Sequence, residues 1–218
     1  MIKSEEVARY LKERPEFFEQ YADLVAGMHI PHPHGGRAIS ISERQILSLR
    51  DKNRALELKL EELIQTARDN EMVDERLHRM TVALTGARDL EVLRHALYFN
   101  LREDFAVPHV ALRMWPEGGE AALAEFREVS AEARAFAKAL TSPQCTHQAV
   151  ADTADWFGHD PAQLRSFAYV ALRQPQPFGL LALASEDAQR FYPEMGTHYL
   201  RRLGDAVSAA FSRYFQIG

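Results

Sequence analysis

Ile46, Leu49, Asn53, Leu56, Leu60 and Leu63 follow one another at alternating spacings of three and four residues. That spacing puts them on one seam of a helix. No proline falls between Ile41 and Leu84, and the first glycine after them is Gly86, so the helix is expected to run unbroken through this stretch. Ser42 and Gln45 have the S-x-x-Q form of a capping box and mark its start. A seam this narrow cannot be buried by its own helix, and the simplest cover is a second copy of the chain. Asn53 falls at an a position, where a buried amide fixes register at some cost in stability. Lys52 at g and Glu57 at the following e make an attractive pair across a parallel dimer. Beyond Leu63 the spacing resumes at Val73, Leu77, Met80 and Leu84, ten residues out of phase. Such a slip, a stammer, is expected where a free coiled coil becomes the first helix of a folded domain.

On the N-terminal side, Val7, Tyr10 and Leu11 form an apolar i, i+3, i+4 face behind Ser4, Glu5 and Glu6, which suit a helix start. Pro15 closes that helix and opens a second one carrying Phe17, Phe18, Tyr21, Leu24 and Val25. The run HIPHPHGG then breaks regularity and reads as a rigid linker. On the C-terminal side the periodicity alternates between helix and strand. Leu90, Leu93, Leu97 and Leu101 mark an amphipathic helix with Asp89 at its start, and Val107 to Trp115 alternates as a strand. Two apolar runs, 166–173 and 178–185, flank a proline-rich turn and form a hairpin. A helix is expected around Ala131 to Leu140, and a last one from about Pro193 to Phe215 with Leu200, Leu203, Val207, Ala210 and Phe211 inward. The fold class is therefore α+β: an antiparallel sheet with helices on one face and loops on the other, preceded by a long coiled-coil helix and a small helical head. The boundaries fall at 1–37 for the head, 38–72 for the coiled coil and 73–218 for the domain.

Composition narrows the function classes. A net charge of −5 gives no global case for nucleic-acid binding. The basic residues Arg37, Arg44, Arg50, Lys52, Arg54 and Lys59 alternate with acids, as on a solvated helix face. The single cysteine, Cys145, excludes an intrachain disulfide framework and fits a reducing compartment. No apolar run approaches the roughly 20 residues a bilayer span needs, and no signal-peptide core opens the chain. A cytoplasmic protein is expected, without membrane contact.

The element order resembles a GAF domain, a ligand-binding or dimerising module often joined to a signalling coiled coil. The segments VARYLKERPEFFEQYADLV, IPHPHGGRAISISERQILSLRDKN and GLLALASEDAQRFYPEMGTHYLRRLGDAVSAAF resemble the bacterial domain-of-unknown-function family 484 over nearly the whole chain. The resemblance implies a cytoplasmic GAF-like protein and carries no known activity. Genes of that family often neighbour a tyrosine site-specific recombinase, an association that implies a partner class and no mechanism.

The candidate chemistry is sparse. His29, His32 and His34 are spaced by prolines that turn them apart, with no cysteine nearby, so no metal site is expected. Cys145 is followed by Thr146 before His147, unlike the Cys-His dipeptide of chromophore-binding GAF domains, and reads as a small buried apolar residue. Arg113 and Arg173 alternate with core residues on predicted central strands, where two guanidiniums on the loop-covered side would hold a carboxylate or phosphate. Trp115, Trp156, Phe157 and Tyr169 would wall that pocket, whereas the competing reading sends both arginines to solvent at strand ends. No H-E-x-x-H, G-x-S-x-G or glycine-rich phosphate loop is present, and Asp152, Asp155, His147 and His159 fall in a turn-like stretch, so no catalytic residue is assigned. The expectation is a non-enzymatic sensory or regulatory protein, homodimeric through the 46–63 seam, with a small ligand in the pocket and a protein partner on the aromatic head. The alternative is a structural adaptor with an empty pocket, engaging a protein such as recombination machinery. No cofactor is specified by either reading.

Overall fold

A computed structural model describes residues 3–32, 35–116, 123–158 and 160–215 of the chain. Two compact units emerge, Met1–Arg68 and Asp69–Gly218. In the first, α1 (Ser4–Glu13) starts one residue before the expected position, with the Glu6 carboxylate accepting from the Lys3 backbone N–H at 3.1 Å. The predicted second helix is split at Tyr21 into α2 (Glu16–Gln20) and α3 (Ala22–Gly27). Phe17 stacks on Tyr21 at 4.8 Å and meets Tyr10 and Phe18 edge-on, yet Tyr10, Phe18 and Tyr21 stay exposed. The supposed irregular linker is instead a hairpin, β1 (His29–His32) paired antiparallel with β2 (Gly35–Ser40). Prolines and histidines disguise it, because neither type marks a strand by period. His34 lies outside the described residues.

Helix α4 runs from Ile41 to Gly86, as the missing breakers require. Burial changes along it: Leu63 is 56 % exposed and Leu77 only 3 %. Met80 and Leu84 are likewise buried in the core of the second unit.

That unit is built on a four-stranded antiparallel sheet of order β3-β6-β5-β4, comprising β3 (His109–Met114), β4 (Gln144–Thr146), β5 (Ser166–Arg173) and β6 (Pro177–Ser185). Strand alternation sorts the side chains. Val110, Leu112 and Met114 of β3 join Ala168, Val170, Leu172, Leu181 and Leu183 on a face covered by the end of α4, by α5 (Leu90–Phe99) and by α7 (His198–Ser212). Asp89 caps α5 by accepting from the Val92 N–H at 2.8 Å, and the helix continues as a π-turn over Asn100–Asp104. All five expected inward residues of α7 are buried, and Gly204 lets α7 lie against Val170 of β5. Cys145 is buried on this side, where burial pushes its thiol up.

The opposite face is not covered by loops alone. Helix α6 (Ala131–Ala139) brings Ala137 and Phe136 onto Phe167, Tyr169, Leu180 and Ala182, and Ala149, Val150, Trp156, Phe157 and Leu164 close the rest. Both faces of the sheet are therefore apolar, and β5 and β6 read as near-continuous hydrophobic runs.

Candidate functional site

On this second face β3 presents Ala111 and then Arg113, so a guanidinium stands where the sheet otherwise buries alanines, leucines and aromatics. Arg113 is only 7 % exposed. Its Nη1 donates to the Leu112 carbonyl at 3.1 Å, and its guanidinium lies over the Trp156 ring, 5.4 Å from the centroid. Among the described residues no carboxylate reaches it within ion-pair distance. Burial lowers its pKa; Tyr98, Glu125 and Asp152 act in the opposite direction, and Arg127 adds to the lowering. An arginine stays cationic through shifts of this kind, so the strand carries a desolvated positive charge.

The charge borders a cavity of about 690 Å³, within the range of small-molecule sites. Arg94 and Tyr98, four residues apart on α5, present one helix face to it. The 3-10 turn Ala124–Phe126 contributes Glu125, Arg127 follows directly, and the 3-10 turn Thr153–Phe157 adds Trp156 and Phe157. Glu125 is 2 % exposed, and its Oε1 faces the Arg94 Nη1 at 3.4 Å. Neither its second oxygen, Oε2, nor the Arg94 Nε finds a hydrogen-bond partner, and both are buried. Burial raises the Tyr98 phenol's pKa well above its ordinary value, and the Glu125 carboxylate raises it further, by its charge and by accepting a hydrogen bond from the neutral phenol.

The aromatic wall is held from behind. Asp152 accepts from Ser130 Oγ at 2.5 Å and from the Trp156 indole N–H at 3.2 Å. Burial opposes the ionised form of Asp152, but these two hydrogen bonds, its own backbone amide and the Arg113 charge together outweigh it and hold its carboxyl below the usual range. Ser130 also caps α6 by accepting from the Ala133 N–H. Deeper in, the Tyr169 hydroxyl accepts from the Val150 N–H at 3.1 Å and meets Thr153 Oγ1 at 2.7 Å, while Thr153 donates to the Val150 carbonyl. The turn that carries Trp156 is thus pinned both to α6 and to the sheet.

Arg113, Trp156 and Phe157 of the expected pocket come together. The other three do not. Arg173 turns its Nη2 to the carbonyls of Ala137, Lys138 and Leu140 at 2.6, 3.0 and 2.6 Å, capping the C-terminus of α6. Those carbonyls lack helical partners and carry the negative end of the helix dipole, so they outcompete a ligand for this cation. Tyr169 is buried flat against Phe167, with its hydroxyl spent on the turn. Trp115 donates its indole N–H to the Pro177 carbonyl at 3.1 Å and stacks under Arg134, away from the cavity. Conversely, Arg94, Tyr98, Glu125 and Arg127 escaped the sequence reading. The i, i+4 spacing of Arg94 and Tyr98 was available as a signal; nothing in the sequence marks Glu125 as buried. His159 lies outside the described residues.

The dimerisation candidates Ile46, Leu49, Asn53, Leu56, Leu60 and Leu63 are all exposed along α4, and Asn53 Nδ2 donates to Glu57 Oε1 at 3.1 Å. No helix among the described residues is long and apolar enough to cross a membrane.

The chain belongs to the family described as "Protein of unknown function, DUF484", which matches residues 1–216. A curated relative, the "Uncharacterized protein YigA" of Salmonella typhimurium, is 29 % identical over 111 residues, 51 % of this chain and 46 % of the relative. The chain therefore aligns with just under half the length of that protein. The fold is that of a GAF domain. The GAF domain of a phosphoenolpyruvate-protein phosphotransferase (ptsP) from Coxiella burnetii superposes with a TM-score of 0.50 at 13 % identity, covering 65 % of this chain and 93 % of that one. The GAF domain of nlh2 from A. aeolicus gives 0.47 at 15 % identity, over 66 % and 98 % of the two chains.

Proposed function

We propose that this protein is a non-enzymatic regulatory module whose GAF-like domain binds a small anion at Arg113 and whose α4 seam pairs two copies. The observation that carries the ligand reading is a buried guanidinium bordering a cavity of about 690 Å³ without a carboxylate partner among the described residues. Burying a cation costs several kcal/mol unless it is compensated, and one carbonyl and one ring face compensate it only in part. An anionic ligand completes the pairing, with Arg127 beside it and Trp156 and Phe157 as apolar walls.

Dimerisation rests on the seam. Five apolar side chains, Ile46, Leu49, Leu56, Leu60 and Leu63, lie exposed at coiled-coil spacing on one helix. Each contributes about 1.5–3 kcal/mol when fully buried, enough together to offset the entropy of association. A parallel pair sets Lys52 against Glu57 of the second copy. The lone cysteine, which fits a reducing compartment, favours a cytoplasmic assembly. The exposed Tyr10, Phe18, Tyr21 and Leu24 of the head favour an added role as a protein-docking surface.

Thermal unfolding of wild type and Arg113→Met with acetate, succinate and inorganic phosphate tests the ligand reading. Saturable protection of the wild type, absent in the variant, is the expected result. Equal shifts in both proteins would remove Arg113 from the site.

A further inference from the structure

The cavity holds a second polar demand that an anion does not meet. Glu125 is an almost completely buried carboxylate with one oxygen, Oε2, unpartnered, and the Arg94 beside it has a buried, unpartnered Nε. Their contact, 3.4 Å between single atoms, is not the bidentate fork by which arginine and carboxylate usually satisfy each other. A buried acceptor left in this state costs on the order of 1–3 kcal/mol, more when charged. Such groups are rare in native folds, and a bound molecule that supplies the missing partner accounts for one that borders a cavity. The two demands are opposite in sign. Arg113 requires an acceptor, and Glu125 Oε2 requires a donor; both residues border the same cavity, with the exposed Arg127 on its rim.

Resting on the anion-binding reading above, we infer that the ligand is an amino-carboxylate zwitterion. Its carboxylate pairs with Arg113, and its ammonium group donates to Glu125 Oε2. The remainder of the molecule lies along Trp156 and Phe157. Tyr98 fits this arrangement: its protonated phenol offers the Glu125 carboxylate a neutral donor but no positive charge, and Oε2 stays open for the ammonium group. A simple carboxylate satisfies Arg113 but leaves Glu125 as it stands. A simple amine is repelled by Arg94, Arg113 and Arg127.

The test uses matched compounds on the full chain: free α- and ω-amino acids and dipeptides, the same molecules without the amino group, and the same molecules as amines without the carboxylate. Thermal shift and calorimetry are read for wild type, Arg113→Met and Glu125→Gln. The inference expects at least one zwitterion to bind ten-fold or more tightly than both of its truncated counterparts. In Glu125→Gln that advantage over the desamino acid should collapse to less than about three-fold while anion binding persists, a fall of about 0.7 kcal/mol or more. A wild type that binds desamino acids as tightly as zwitterions would overturn the inference and leave the anion reading standing. Silence of the whole panel, with no shift in the wild type, overturns both. Should Glu125→Gln fail to fold, Arg94→Met serves in its place: it leaves the Glu125 charge with no internal cation at 3.4 Å, so the preference for zwitterions should rise, and a fall contradicts the inference.

Discussion

Removing one oxygen from the buried face of the sheet should loosen the aromatic wall of the cavity. In Tyr169→Phe the ring keeps its contacts with Phe167 and Phe136, but the hydroxyl no longer accepts from the Val150 N–H nor meets Thr153. Thr153 Oγ1 keeps its bond to the Val150 carbonyl, so the cost falls mainly on the half-buried Val150 amide that loses this acceptor. Leaving such a donor unsatisfied costs about 1–3 kcal/mol. For a domain of this size each kcal/mol lowers Tm by roughly 2–4 °C, so a fall of about 2–12 °C is expected. The same turn carries Trp156, so in a Trp115→Phe background the remaining indole should become more accessible to acrylamide. A double-mutant cycle with Thr153→Val should return a coupling of about 1 kcal/mol, because both changes break the same bond. A Tm within about 1 °C of wild type, with unchanged quenching, would show that the hydroxyl does not hold the turn.

Three further outcomes follow from other parts of the molecule. Gly204→Ala places a Cβ 2.4 Å from Val170 Cγ1, so despite the better helix propensity of alanine it should destabilise by about 1–3 kcal/mol, and Val170→Ala in the same chain should recover most of that in chemical denaturation. Tyr98 and Tyr169 both have folded pKa values raised by burial above the ordinary 10.0. The unfolded chain therefore ionises first as pH rises, and the stability these phenols contribute is complete below about pH 10 and lost above it. Tyr98→Phe should accordingly flatten the alkaline fall in stability, and an unchanged slope would contradict the burial argument. Asn53→Leu should leave the sheet domain's Tm in place while raising the stability of the assembly or changing its copy number by sedimentation; no change in either removes Asn53 from a dimer seam.

The parts of the fold that were legible in the sequence are those governed by a strong period. The breaker-free α4, the core-facing Leu77, Met80 and Leu84 at its end, the 166–185 hairpin and the inward face of α7 all follow from spacing alone. Strand β4 escaped because three residues, Gln144–Thr146, are too few to show alternation. The 29–40 hairpin escaped because its composition imitates a linker. At the site, alternation placed Arg113 and Arg173 on the same side of the sheet, which the structure keeps. What spacing could not show is that the end of β5 meets the C-terminus of α6, so that Arg173 answers three carbonyls and not a ligand. Glu125 is the opposite case: an ordinary acidic residue in an irregular stretch becomes a buried, half-satisfied carboxylate through tertiary packing alone.

Native mass spectrometry of the full chain, purified gently from its own host beside Arg113→Met, tests the central claim most directly. The account predicts a dimer carrying a stoichiometric small-molecule excess that disappears on denaturation and is missing from the variant. A wild-type chain with no excess mass, or an excess retained by Arg113→Met, would contradict it.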